Sequence, residues 1–282
     1  MAPEARECLS RSVSASQGTG GLFCGRVRRG RDVTGQEDLY YTFFGLMLAA
    51  VTGAKIRRKD CNAKLKSLGF ATLDLVHACA WLRAMKLLRW LVMPRLLRTM
   101  IPASQLNMFD VFHARKLQSL PQLPQHSYPQ QDADSPYSRF LLGTLCTDFG
   151  QAMPEYDLDA YRLPNGLYAN LKRHADYGIN ATAAALFLLP KESCDETADA
   201  LLALQEADGS FKAVATAPEG DVMSTATAAF ALHKYGKSLR ISVKPFLREC
   251  FRDNGFFAAT PLDPDGDLEY TTYGLLMMGL LT

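Results

Sequence analysis

Asp208–Leu232, DGSFKAVATAPEGDVMSTATAAFAL, is the stretch that decides the fold. A Gly and an aromatic residue, Gly209 and Phe211, open it. A polar loop follows, and an Asp then leads into a run of small and apolar residues. The same order recurs as NGLYANLKRHADYGINATAAALFLL from Asn165 and as NGFFAATPLDPDGDLEYTTYGLLMMGL from Asn254. It recurs again as GGLFCG from Gly20 with EDLYYTFFGLMLA after it. Gly166, Gly209 and Gly255 are 43 and 46 residues apart, and the gap back to Gly21 is 145, close to three further periods. A period of this size predicts a stacked or closed array of helix pairs.

Working outward, Gly69-Phe70 precedes TLDLVHACAWL as a degenerate copy, and Asp134 precedes SPYSRFLLGTLC, a copy without its Gly-aromatic turn. Inner helices are therefore expected to begin near Asp38, Asp74, Asp134, Asp176, Asp221 and Asp267. An Asp there accepts the free amides of a helix start and suits its dipole. The plainest role of these acids is capping. Amphipathic segments at roughly 4–16, 55–67, 92–117, 154–161, 194–206 and 242–252 would form an outer layer, with Ala198, Leu201, Leu202 and Leu204 at near-helical spacing in one of them. ATAAALFLL and STATAAFAL are apolar almost all round, as helices buried on both sides should be. Strand signals are nearly absent. The expectation is an all-α, double-layered barrel of about twelve helices, an (α/α)6 toroid. It would be a single domain over 1–282, interrupted by an irregular basic and Pro/Gln-rich segment at about 81–136.

Composition agrees with one large core: 282 residues, 48% of them hydrophobic. A net charge of +2 gives no nucleic-acid signal. The opening MAPEARECLSRS has acids and no apolar run, so no signal peptide is expected. No run of 18 apolar residues lacks charge. Seven scattered cysteines fit reduced thiols and a cytoplasmic location. WLRAMKLLRWLVMPRLLRTM, from Trp81, reads either as a membrane-surface or partner-docking helix or as an outer helix whose basic stems lie along the barrel. The following LPQLPQHSYPQQDADSP reads as an extended surface loop.

These repeats resemble the β subunits of protein prenyltransferases and, more distantly, the squalene/terpene cyclases. The second group repeats Gln, three residues, Gly, one residue, Trp. Gln17, Gly21, Phe23 and Gln205, Gly209, Phe211 match it with Phe for Trp. The resemblance covers nearly the whole chain and implies the toroid. It also implies a prenyltransferase zinc site built from Asp-x-Cys and a His of the next repeat, where the metal holds a substrate cysteine as thiolate. The repeat register puts that Asp on Asp221, the Cys on Met223 and the His on Thr271. Zinc is therefore not expected, since a carboxylate alone does not hold it firmly. Asp267 and Glu269 leave magnesium open through oxygen ligands.

On the diphosphate side, His174 and Tyr177 match the family's His-x-x-Tyr, with Lys172 and Arg173 adjoining, and Arg26, Arg28, Arg29 and Arg31 precede Tyr40-Tyr41. Guanidinium groups beside helix starts suit anions, although charged loop residues are often merely solvated. Tyr40, Tyr41, Phe230 and Tyr270, with other aromatics on the inner helices, would line a funnel for an isoprenoid chain or form ordinary core. The resemblance thus implies Asp221 as the catalytic position. Arg26, Tyr40, Tyr41, His174, Tyr177, Phe230 and Tyr270 would bind substrate. The expected partner is an isoprenoid or other lipid-like small molecule, with a partner subunit and peripheral membrane contact left open and no nucleic acid. A non-catalytic binding scaffold is the main alternative. A toroidal glycosidase or a terpene cyclase comes next, but the cyclase Asp-x-Asp-Asp run is missing, and Asp263-Pro-Asp265-Gly reads as a turn.

Overall fold

The computed structural model describes residues 3–27, 33–68, 73–93, 134–148, 155–190 and 194–280. Among them are the helices α1 (Pro3–Ala15), α2 (Leu39–Thr52), α3 (Arg58–Ser67), α4 (Leu75–Val92) and α5 (Pro136–Asp148). Further along come α6 (Ile179–Leu188), α7 (Asp195–Ala203), α8 (Val222–Lys234), α9 (Lys244–Cys250) and α10 (Leu268–Leu280). The fold is predominantly helical. The described residues form two compact units, one from 3–26, 33–68, 73–93 and 141–148, the other from 27, 134–140, 155–190 and 194–280. In the first, α1 packs on α2, and α4 packs on both α2 and α3. In the second, α8 lies between α6 and α10, and α7 packs on both α6 and α8.

Among the described residues one corner geometry recurs four times and explains the sequence pattern. Gly21, Gly166, Gly209 and Gly255 take φ of +103, +81, +90 and +85, which L side chains rarely adopt. At Gly209 a Cβ would in addition fall 2.6 Å from the carbonyl oxygen of Ser242. Two residues on, the backbone N–H of a buried aromatic donates to a Thr hydroxyl on the next helix. The bonds are Phe23 to Thr42, Tyr168 to Thr182 and Phe211 to Thr225, each 3.0 Å, and Phe257 to Thr271, 2.9 Å. All four threonines are 0% exposed, so each hydroxyl satisfies an amide that water does not reach. Three residues beyond each Thr stands Gly45, Ala185, Ala228 or Gly274. At Gly274 a Cβ would meet the Phe257 ring at 2.7 Å. Small residues there make room for the ring.

The corners are also tied forward. Gln17 donates through Nε2 to the Gly21 carbonyl (2.8 Å) and accepts the Arg57 N–H (2.7 Å) just before α3. Gln205 donates to the Gly209 and Ile241 carbonyls (3.0 and 2.8 Å) and accepts the Arg240 N–H (2.8 Å). At Gly166 other residues make the tie: Thr197 donates to its carbonyl (2.8 Å), and Arg162 pairs with Glu196 (2.7 Å).

Several expectations need correction. Among the described residues are three short strands, β1 (Phe23–Val27), β2 (Val33–Asp38) and β3 (Gly266–Asp267), of which β1 and β2 are neighbours. Glu37 at the end of β2 accepts the N–H groups of Gly20 (2.5 Å) and Leu22 (2.9 Å), pinning the first turn. Asp176 caps nothing: it is exposed, and α6 starts after Gly178, whose N–H donates to the Tyr168 carbonyl (2.9 Å). Asp134 does not cap α5 either; Ser135 Oγ accepts the Ser138 N–H (3.2 Å) instead. The segment near 154–161 forms one 3-10 turn, Asp159–Tyr161, because Asp157 takes the Asp159 N–H (2.9 Å) in a side-chain turn. Gly69-Phe70 and most of 92–117 and of the Pro/Gln-rich stretch lie outside the described residues. The described part of the basic segment is helix α4. There Trp81 donates to the Leu65 carbonyl (2.8 Å) and Arg83 to Thr144 Oγ1 (2.6 Å).

Candidate functional site

In the second unit α6 and α8 run side by side in the same direction. Thr227 Oγ1 meets Asn180 Oδ1 at 2.7 Å, and seven residues along both helices Lys234 Nζ sits 5.0 Å from the Phe187 ring centroid. The separation in sequence is 47 at both points, as parallel helices one repeat apart require. These helices are buried over most of their surface but keep one half-exposed stripe at helical spacing. It runs through Tyr177, Asn180 and Phe187 at α6, Met223, Thr227 and Phe230 on α8, and Tyr270 and Tyr273 on α10. Phe140 of α5 lies 5.4 Å from Phe187. The stripe is aromatic and aliphatic, broken by the Asn180–Thr227 pair.

Asp221 stands at the start of α8 and accepts the Ser224 N–H (2.7 Å), so it is a cap. Burial pushes its carboxyl up, and this outweighs the stabilisation it draws from Ser224 and from the backbone of Met223. Met223 is half-exposed on the stripe. Thr271 is not aimed at any such site, since its hydroxyl accepts the Phe257 N–H and donates to the Asp267 carbonyl (2.5 Å). These three residues do not fit a zinc ion: one carboxylate holds a helix start, a thioether is a weak partner for zinc, and the third side chain is closed into a corner. Asp267 accepts the Glu269 N–H (2.7 Å), and both acids are buried at 3% and 8% exposure. Among the described residues no three His, Cys, Asp or Glu side chains are grouped to hold a metal ion.

The expected anion residues divide. His174 is exposed in the loop before Tyr177, and its neighbour Arg173 has a φ of +60. Lys172 pairs with Asp134 (3.4 Å) and lies 5.7 Å from the Tyr161 ring. Asp134 also pairs with Arg139. Burial pushes the Asp134 carboxyl up, but bonds and charge from Arg139 and Lys172 outweigh this and hold it below its usual range. Tyr177 is half-buried, and burial, with the Glu206 charge, pushes its phenol up. Arg26, exposed, belongs to the first unit, while His174 and Tyr177 belong to the second. Arg28, Arg29 and Arg31 lie outside the described residues.

Tyr40 and Tyr41 follow the Asp38 cap of α2, which accepts both their N–H groups (2.7 and 3.2 Å). Their rings are 5.6 Å apart, and Tyr40 is 5.0 Å from Phe44. Beside them is a residue the sequence expectation omitted. His77 Nδ1 is 2.7 Å from Asp74 Oδ2, and its Nε2 is 3.7 Å from Asp38 Oδ2, so one imidazole lies between the caps of α2 and α4. Burial pushes the Asp74 carboxyl up, but bonds from the backbone and ring of His77 outweigh it and hold that carboxyl low. The sequence signal was Asp74-x-x-His77 at a helix start, where the fourth residue reaches back to the cap.

No model of a known protein family matches the chain, and no curated protein matches it. No helix among the described residues is long and apolar enough to cross a membrane. None of the seven cysteines is in a disulfide, and six are buried.

Proposed function

We propose that the chain is an α/α ring protein of the prenyltransferase-β and terpene-cyclase kind, and that it binds an isoprenoid or similarly apolar lipid along the aromatic stripe. The observation that carries this is the pairing of two parallel, otherwise buried helices that keep a half-exposed aromatic stripe. Helices buried on all other sides would bury that stripe too unless it faced a space of its own. The four like corners support an array of such helix pairs, and closure into a ring is the arrangement in which every stripe faces the middle. Each methylene of a bound chain covered there would contribute about 0.8 kcal/mol. Asp221 is the residue nearest the chemistry in the resemblance, and His174 and Tyr177 are the proposed contacts for an anionic head. Phe230 and Tyr270 are the proposed contacts for the chain.

Calorimetry with farnesyl diphosphate and farnesol tests the reading. Phe230→Ala should weaken both by a similar factor, and His174→Ala should weaken the diphosphate more. No binding of either ligand to the folded protein would overturn the reading. A second reading, a binding scaffold without prenyl transfer, is favoured by the closed position of Thr271. Transfer to a cysteine peptide, assayed with magnesium and with zinc, separates the two.

A further inference from the structure

Within the apolar stripe, Asn180 and Thr227 are the polar exception. Thr227 Oγ1 lies 2.7 Å from Asn180 Oδ1 and 3.1 Å from the Ser224 carbonyl. A hydroxyl has one proton, and the shorter contact takes it. The amide oxygen of Asn180 is then fixed towards α8, and its Nδ2 is turned to the other side. Among the described residues the Nδ2 hydrogens donate to no acceptor, although the residue is half-buried, with Tyr177 just before its helix and Phe187 two turns along it. Met223 and Phe230 flank Thr227 on the neighbouring helix. An oriented pair of N–H donors among aromatic and aliphatic side chains is costly to leave unmatched once water is displaced.

We infer that Asn180 is a specificity-determining residue that reads a hydrogen-bond-accepting oxygen on an apolar ligand, a carbonyl oxygen above all, and that Thr227 is the positioning residue that aims it. This rests on the proposal that the stripe binds an apolar chain. It adds that the stripe prefers an oxygenated chain to a hydrocarbon of the same shape. A bound hydrocarbon would strip water from Nδ2 and return nothing, whereas a carbonyl would replace the lost bond. Such one-sided loss is the strongest lever a binding site has for telling two similar ligands apart.

The test compares an acyclic isoprenoid ketone with the hydrocarbon that has a methylene in place of the carbonyl, both measured by displacement of a fluorescent lipid from the whole protein. Wild-type protein should favour the ketone by roughly tenfold, the usual effect of one matched bond in a partly dry site. Asn180→Leu should bring the ratio to about one by weakening the ketone alone. Asn180→Asp keeps the shape and the Thr227 contact but presents acceptors only, so it should reverse the preference. Thr227→Val should reduce the ratio with little change in hydrocarbon affinity. Phe230→Ala should weaken both probes and leave the ratio intact. Far-UV circular dichroism checks that each variant is folded, and Asn180→Asp decides the matter if Asn180→Leu is not. A ratio near one in the wild type, or one unchanged in both Asn180 variants, overturns the inference while leaving the stripe as a lipid site. Failure of both probes to bind overturns the stripe reading and this inference together.

Discussion

The first and third corners use the same parts at different spacing. At Gly209 the aromatic N–H and its Thr acceptor are 14 residues apart, as in the second and fourth corners, while at Gly21 they are 19 apart. Strands β1 and β2 lie within this longer spacing, and Glu37 of β2 bonds back to the turn. The bond from Phe23 to Thr42 nevertheless matches that from Phe211 to Thr225, and Gln17 repeats the tie made by Gln205. Strand content in this region therefore arises from an insertion within a repeated helical corner. The parts held constant are the glycine, the ring, the Thr and the small residue beneath the ring. What differs is the length of the chain between the ring and the Thr.

Four experiments would break or sharpen this comparison. The largest effect is expected from Gly209→Ala and Gly21→Ala. Each forces a side chain into positive φ and sets a Cβ 2.6 or 2.7 Å from backbone of the following segment. Strain and overpacking together should cost about 3 kcal/mol or more in chemical unfolding. A mild Gly21→Ala would mean that the first corner is not a true copy. Next, Thr42→Val and Thr225→Val leave a buried amide unpaired and should each cost about 1–3 kcal/mol, with Ser restoring most of it. Unequal costs would show that the insertion has loosened one corner.

The helix caps supply the third contrast. Asp74 is held low, so the stability it gives is present above its unfolded pKa and is lost as pH falls through the still lower folded value. Asp221 is held high, so the native state binds the proton first, and its contribution falls as pH rises from the unfolded to the folded pKa. Asp74→Asn should therefore reduce the loss of stability on acidification. Asp221→Asn should remove an opposite slope while keeping the cap. Urea melts between about pH 3 and pH 7 check both signs, since free carboxyls titrate near 4. Equal slopes for the two variants would contradict the assignments. The smallest effect is expected from deleting Arg28–Asp32, which restores the shorter spacing and should change stability by only about 1 kcal/mol. Collapse of the fold on that deletion would refute the insertion account.

Much of this architecture could be seen in the sequence, because a capping Asp beside a run of small residues is a local signal. Helices start one residue after Asp38, Asp74, Asp221 and Asp267, as expected. Where backbone pairing competes with the cap, the signal misleads. Tyr177 is held extended by a bridge to Ala169, so Asp176 is left in the loop. Similarly, Asp157 turns its own backbone and shortens an expected helix to one turn. The threonines were legible in principle, each standing 14 or 19 residues after a buried ring, but a Thr in a helix carries little meaning until its partner is known. His77 and Asn180 were missed for a related reason. Each matters through a partner on another helix, Asp38 in one case and Thr227 in the other, and periodicity along one helix says nothing about the register between two. The role of Thr271 was hidden in the same way: the repeat register marks it only as the position of the family's His, whereas its hydroxyl closes a corner.

The four aromatic amides under their threonines have a further consequence as reporters. Phe23, Tyr168, Phe211 and Phe257 each donate to a single side-chain oxygen, not to a neighbour within a helix. Exchange of any of these hydrogens with deuterium requires its own corner to open and says nothing about fraying elsewhere. Four isolated signals, one for each of these corners, would thus record whether they open all at once or one at a time.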